Sequence, residues 1–161
     1  MANHVYVGKE WHGMSTTDKC PLCMQHIENW DHVFKCKSDD AIIEKNTQLN
    51  LLQKKLRQYY THPVLRRRLM AAVLQWTGGH EITHPSEGGQ YDDINEALRD
   101  QCNLLFENIF CGVMSHKLVE VQGRYFDENV GLLPKRRLGG HEWGVKVVRA
   151  FMEYIQKCVE E

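Results

Sequence analysis

The chain lacks any long apolar stretch and any secretory pattern. Its longest purely apolar run, Leu69 to Leu74, is far shorter than the roughly 20 residues that a membrane span needs. The first residues, MANHVYVGKEWHG, show no charged segment followed by an apolar one, so they do not predict a secretory signal. We therefore expect a protein with no membrane partner that is intracellular, nuclear or cytoplasmic, and not secreted.

The sequence also lacks the glycine spacing of phosphate-binding loops, since Gly78-Gly79 and Gly139-Gly140 fit neither a P-loop nor a dinucleotide fingerprint. It shows no alternating segment or hairpin signal typical of β-strands. The 20 Lys and Arg balance 21 Asp and Glu, so whole-chain charge predicts no polyanionic partner. These absences favour a mostly α protein without nucleotide-dependent chemistry.

Metal-ligating residues are present near the N-terminus, where a Cys-x2-Cys pair precedes a His-x3-Cys pair. The four residues are Cys20, Cys23, His32 and Cys36. Three thiolates and an imidazole complete a tetrahedron, which is typical of a structural Zn²⁺ site without an open position for substrate. His26 is the alternative imidazole, and we prefer His32 because the x3 spacing sets it on one helical face with Cys36. A redox pair or two small buried side chains are the other interpretations of Cys-x2-Cys.

This pattern divides the chain into a CCHC zinc-binding module over 1–37 and a helical domain over 38–161. The module has few large apolar residues, so a metal worth roughly 10–16 kcal/mol would explain how it folds. In the helical domain, apolar spacing predicts helices over about 39–60, 63–77, 92–110, 116–126 and from Trp143 to near the end. Ser38, Pro63 and Ser115 are typical of helix starts. The predicted apolar stripes include Ile42, Ile43, Leu52 and Leu56 in the first helix and Leu65, Leu69 and Val73 in the second. We expect a bundle of about four or five helices. Three further cysteines, Cys102, Cys111 and Cys158, are predicted to be buried as small apolar side chains.

Charge is unevenly distributed within the helical domain. Residues 53–68 carry six bases and no acid, whereas residues 91–129 carry eight acids and three bases. The basic run indicates a face for RNA or DNA, two helices paired by opposite charge, or ordinary solvated surfaces. The candidate nucleic-acid contacts are Lys19, Trp30, Lys35, Lys37, Lys54, Lys55, Arg57, Arg66, Arg67, Arg68, Lys135, Arg136 and Arg137.

The segment KEWHGMST, then CPLC, then the HVFKC pair resembles the zinc-binding region that follows the polymerase in non-LTR retrotransposon reverse transcriptases. SHKLVEVQGRYF, residues 115–126, and WGVKVVRAFMEYIQKC are similar to the helical tail of that family. The resemblance implies that Cys20, Cys23, His32 and Cys36 are zinc ligands. It also implies a tail without its polymerase, either as a fragment or as a non-functional remnant.

Two motifs suggest catalysis, and both have simpler explanations. Tyr91-Asp92-Asp93 lacks the residue that separates the aromatic from the acids in polymerases, and it opens a helix whose dipole favours acids. His80 to His84 reads HEITH, the zinc-hydrolase pattern, but glycines precede it and Pro85 follows, so a helix presenting both histidines is not expected. We predict no enzyme, with a zinc hydrolase on HEITH as the weakest alternative.

A protein-interaction module with purely structural zinc is the main alternative to nucleic-acid binding, and the sequence does not indicate an oligomeric state.

Overall fold

The computed structural model describes residue 19 and residues 38–83, 89–134 and 139–159. These ranges contain α1 (Asp39–Gln58), α2 (Pro63–Thr77), α3 (Asp92–Asn103), α4 (His116–Glu128) and α5 (Gly140–Val159). Two 3₁₀ helices, Phe106–Cys111 and Val130–Leu132, lie before and after α4. The prediction of a mostly α protein is confirmed. The predicted zinc module, 1–37, lies outside the described residues except for Lys19.

Helix α1 begins where its capping residue predicts. The Ser38 hydroxyl accepts a hydrogen bond from the Ala41 amide at 3.2 Å, which satisfies one donor of the first turn. Leu52 and Leu56 are buried against the rest of the bundle, as their spacing predicts. Ile42 and Ile43, predicted on the same stripe, are 41% and 62% exposed, so that part of the prediction is wrong. The buried side of the first turns is formed by Ala41 instead.

Helix α2 follows the predicted bounds. The His62 ring accepts from the Val64 amide, Pro63 occupies the first turn, and Gly78 follows the last residue. Leu65, Leu69 and Val73 are fully buried on the predicted stripe. Local capping signals therefore determine both ends of this helix.

Helix α3 ends earlier than predicted, at Asn103 rather than Phe110. Leu105 adopts a positive φ of 65°, which breaks the helix, and the chain continues as the first 3₁₀ helix up to Gly112, at φ 96°. The break turns Phe106 and Phe110 into the core and leaves Leu105 57% exposed. Tertiary packing of the two phenylalanines thus overrides the continuous apolar periodicity.

Helix α5 is the central element of the bundle, in contact with α1, α4 and the first 3₁₀ helix. It begins at Gly140, three residues before the predicted start at Trp143. Around it lies an aromatic cluster in which the Phe110 ring is 4.9 Å from Trp76, 5.7 Å from Phe151 and 5.9 Å from Tyr154. This cluster connects α2, the first 3₁₀ helix and α5 through one apolar core.

Three cysteines of the bundle have different environments. Cys158 is buried, and burial raises its pKa to about 12. Cys102 is half-buried, and burial also raises the pKa of its thiol. Cys111 is exposed, which corrects the prediction that it is buried. Its place in the last turn of the 3₁₀ helix, beside Gly112, turns its side chain away from the core.

Within the described ranges, none of the helices is both long and apolar enough to cross a bilayer.

The crossing of α4 and α5 depends on a close approach of two backbones. A Cβ placed on Gly140 would lie 2.9 Å from the Val119 carbonyl oxygen and 3.1 Å from the Gly123 Cα. Both neighbours are backbone atoms and cannot move aside as a side chain can. A Cβ on Gly123, by contrast, meets only the Gly140 Cα, at 4.0 Å.

We therefore expect opposite results from two alanine substitutions at this crossing. Gly140→Ala should lower the free energy of unfolding by about 1–3 kcal/mol, because the helices must separate. Gly123→Ala should be neutral or stabilising by up to about 1 kcal/mol, because alanine is preferred within a helix. Urea unfolding followed by circular dichroism measures both. Equal destabilisation by the two variants would contradict this account of the crossing.

Candidate functional site

The basic residues of the α1–α2 hairpin lie in a segment without acids. From Lys45 to Thr77 the chain contains seven Lys and Arg and no Asp or Glu, whereas the first turns of α1 carry Asp39, Asp40 and Glu44. Lys54, Arg57 and Arg67 are exposed on the solvent side of the two helices. Tyr60 follows the end of α1, three residues after Arg57, and is 41% exposed. We define the basic face as Lys54, Arg57, Tyr60 and Arg67.

The other predicted bases of the hairpin are placed differently. Lys55 forms an ion pair with Glu153 of α5, which neutralises its charge. Arg66 and Arg68 lie on opposite flanks of α2 and are only partly exposed. The Arg66 Nε is buried and makes no hydrogen bond within the described residues. The three consecutive arginines therefore do not form one flat patch.

A buried polar cluster positions the corner between the two basic helices. The Trp143 indole N–H donates to the Thr61 hydroxyl at 2.9 Å, and both residues are buried. The Gln122 amide donates to the Tyr60 carbonyl at 2.9 Å and accepts from the His62 amide at 2.8 Å. One side chain from α4 and one from α5 thus satisfy the backbone and hydroxyl groups of residues 60–62. The sequence did not predict this cluster, because Gln122 and Trp143 lie 60 to 82 residues from the groups that they contact.

The imidazole of His62 packs in the same corner. Its ring lies 4.7 Å from the Tyr125 ring and 6.1 Å from the Tyr91 ring. Nδ1 accepts from the Val64 amide at 3.1 Å, which requires that nitrogen to be unprotonated. Burial lowers the pKa of His62, and the carboxylates of Asp93 and Glu128 oppose that shift in part. His62 is thus held as the neutral capping residue of α2.

The acids of the second half pair with nearby bases. Lys117 on α4 contacts Glu96 on α3 at 2.9 Å, and Arg124 on α4 contacts Asp93 on α3 at 3.4 Å. Both contacts lie within residues 91–129, and Lys55 pairs with Glu153 outside that segment, so none of these three pairs joins the basic run 53–68 to the acidic segment. These exposed pairs contribute little stability, since such pairs are worth about 0–1 kcal/mol.

Tyr91-Asp92-Asp93 forms the start of α3. The Asp92 carboxylate accepts from the Gly89 amide at 3.0 Å, and the Asp93 carboxylate accepts from the Ile94 amide at 2.8 Å. Both acids satisfy backbone donors at a helix N-terminus, where the dipole also favours negative charge. Stabilising the start of α3 therefore explains why Asp92 and Asp93 stand there, without a catalytic role.

The described part of HEITH, residues 80–83, is not helical. His80 and Glu81 are exposed, and Thr83 is held by the Gln75 side chain through two hydrogen bonds, of 2.8 and 3.1 Å. His84 lies outside the described residues. The helical presentation that a zinc hydrolase needs is not found over residues 80–83.

The predicted metal ligands, Cys20, Cys23, His32 and Cys36, lie outside the described residues, as does the alternative ligand His26. The same applies to Trp30, Lys35, Lys37, Lys135, Arg136 and Arg137; Lys19 is described and exposed. Within the described ranges, no group of three or more His, Cys, Asp or Glu side chains could hold a metal ion. The zinc site and these contacts stay predictions.

Comparison with known proteins adds no relative: no family model, curated protein or solved structure gives a significant match to this chain. The resemblance to the reverse-transcriptase zinc-binding region therefore also stays a prediction.

The position of His62 predicts a pH dependence of stability. Because its pKa in the folded protein is lower than the 6.5 of a free side chain, the unfolded chain takes up the proton first as pH falls. The free energy of unfolding should therefore decrease as pH drops below about 6.5 toward the folded-state pKa. Urea unfolding at about pH 7.5 and about pH 5.5 measures the difference.

The matched variant is His62→Asn, which keeps a capping oxygen but cannot titrate. It should lose less stability than the wild type over that interval. An unchanged pH dependence in His62→Asn would contradict the assignment.

Proposed function

We propose that this chain is a non-enzymatic, zinc-organised helical module that binds RNA or DNA. The observation that supports the proposal most directly is the basic face, a group of exposed cations within residues 45–77, a segment that contains no Asp or Glu. Nucleic-acid affinity depends on Lys and Arg that neutralise phosphates and release counterions. An aromatic ring beside such cations provides a surface on which an unpaired base can stack.

The placement of the acids supports the same assignment. Asp93 and Glu96 lie on α3 and pair with bases of α4, so they do not neutralise the basic face. Lys55 of the hairpin, which is not part of the basic face, pairs with Glu153 of α5. The exposed cations therefore keep their charge available for a polyanion. The proposal assigns no catalytic step to the chain.

The proposed zinc site would organise residues 1–37 through Cys20, Cys23, His32 and Cys36. Lys19, Lys35 and Lys37 lie next to these ligands in sequence and would extend the cationic surface. Zinc would be structural, because three thiolates and one imidazole fill its coordination sphere.

The first experiment measures binding of a fluorescently labelled single-stranded RNA and of a duplex DNA as a function of salt concentration. The wild type should bind with an affinity that falls steeply as salt rises. Replacing the three cations, Lys54→Gln, Arg57→Gln and Arg67→Gln, should weaken binding and reduce the slope of log K against log salt by roughly 2–3.

The matched control removes three cations from the acidic half, Arg99→Gln, Lys117→Gln and Arg124→Gln. It changes net charge equally and should leave the salt slope close to that of the wild type. If both triple variants lost affinity equally, net charge alone would explain the effect. That result would contradict binding at the basic face. Failure of the wild type to bind either nucleic acid at low salt would favour the protein-interaction alternative.

The second experiment tests the zinc site by native mass spectrometry of the purified chain. We expect one zinc per chain, lost in Cys20→Ser/Cys23→Ser and retained in Cys102→Ser/Cys111→Ser. His32→Asn should lose the metal and His26→Asn should keep it, which identifies the imidazole ligand. A wild-type chain that takes up no zinc, even when refolded with it, would remove this part of the proposal.

A further inference from the structure

A groove of about 540 Å³ runs between α5 and the segment that leads into α4. Its apolar lining includes Met114, Val119, Val145, Val148 and Met152. Val145 and Met152 are 46% and 44% exposed, although they lie on the central helix of the bundle. The volume of the groove is typical of small-ligand sites, and its lining resembles theirs in being mostly apolar with a few polar groups.

The length of the groove suits an extended occupant. The lining extends along α5 from His141 to Gln156, which at about 1.5 Å per residue is a length of roughly 22 Å. An extended chain laid along α5 can therefore contact the lining over most of that length.

The polar groups of the lining favour a negative charge on that chain. Arg149 is exposed and permanently cationic, and His116 and His141 add ring nitrogens that can donate hydrogen bonds. Glu153 is the acid of the lining, and its carboxylate is paired with Lys55. In the part of the chain that the structure describes, Arg149 forms no ion pair, so its guanidinium can face a ligand.

We propose that this groove binds a single-chain amphipathic carboxylate, with its acyl chain along α5 against Met114 and Met152 and its carboxylate at Arg149. The apolar lining supplies the hydrophobic part of the affinity, since each buried methylene contributes about 0.8 kcal/mol. The guanidinium supplies a charge-assisted hydrogen bond and discriminates against cations. This site is separate from the basic face and does not depend on nucleic-acid binding.

The test titrates the full chain, labelled at its methionine methyl groups, with dodecanoate below its micelle concentration and follows the methyl NMR signals. Met114 and Met152 should shift and saturate together, whereas Met70, buried in the core away from the groove, should not. Arg149→Gln should weaken the affinity roughly fivefold or more, as expected for the loss of one charge-assisted hydrogen bond.

Lys146→Gln is the matched control, since it removes an exposed cation from the same helix at a position over the Tyr59 ring and outside the groove. It should leave the dodecanoate affinity unchanged. Dodecyltrimethylammonium, with the same chain and the opposite charge, should bind more weakly. Absence of shifts at Met114 and Met152, equal weakening in both variants, or equal affinity for the cationic amphiphile would each overturn the proposal.

Discussion

The position of the basic helices depends on hydrogen bonds that are buried at the corner between α1 and α2. Trp143 of α5 is fully buried and donates its indole N–H to Thr61, while the fully buried Gln122 of α4 satisfies the backbone of Tyr60 and His62. An unsatisfied polar group in such a place costs about 1–3 kcal/mol, so the corner, α4 and α5 must form together. A second buried glutamine, Gln101, acts in the same way before α4, where it contacts the Val113 carbonyl and the Ser115 amide.

This arrangement gives the bundle two different surfaces. The α1–α2 hairpin presents cations from residues 45–77, a segment that contains no acid, and the contact of α5 with α1 pairs Lys55 with Glu153. Beside α4, α5 instead lines an apolar groove that includes Arg149. The proposed polyanion-binding face therefore lies on α1 and α2, and the proposed site for an amphipathic anion lies against α5 and the start of α4. The ring of His62, kept neutral by burial, joins these elements without adding charge to the corner.

The sequence predicted helix starts well because capping is local. Ser38, Pro63 and Ser115 each act within two or three residues of their own position, so their effect does not require the rest of the fold. The sequence-based predictions were wrong at positions where tertiary packing determines the backbone conformation or the burial of a side chain. Leu105 continues a helical pattern but breaks it at positive φ, because Phe106 and Phe110 must enter the core. Ile42 and Ile43 match the apolar stripe of α1 yet remain exposed, and Ala41 forms the buried side of that turn.

The sequence by itself determined the helical class, most helix ends and the separation of basic from acidic segments, because these follow from residues close to one another in the chain. Only the tertiary structure decided which cations stay exposed, since Lys55 and its partner Glu153 are 98 residues apart. The same holds for the roles of Gln122 and Trp143, whose hydrogen bonds span 60 to 82 residues. It also holds for the groove, which exists only where α5 and the start of α4 come together. The burial of a side chain and its hydrogen-bond or ion-pair partner are properties of the assembled bundle. A local sequence pattern therefore cannot predict them.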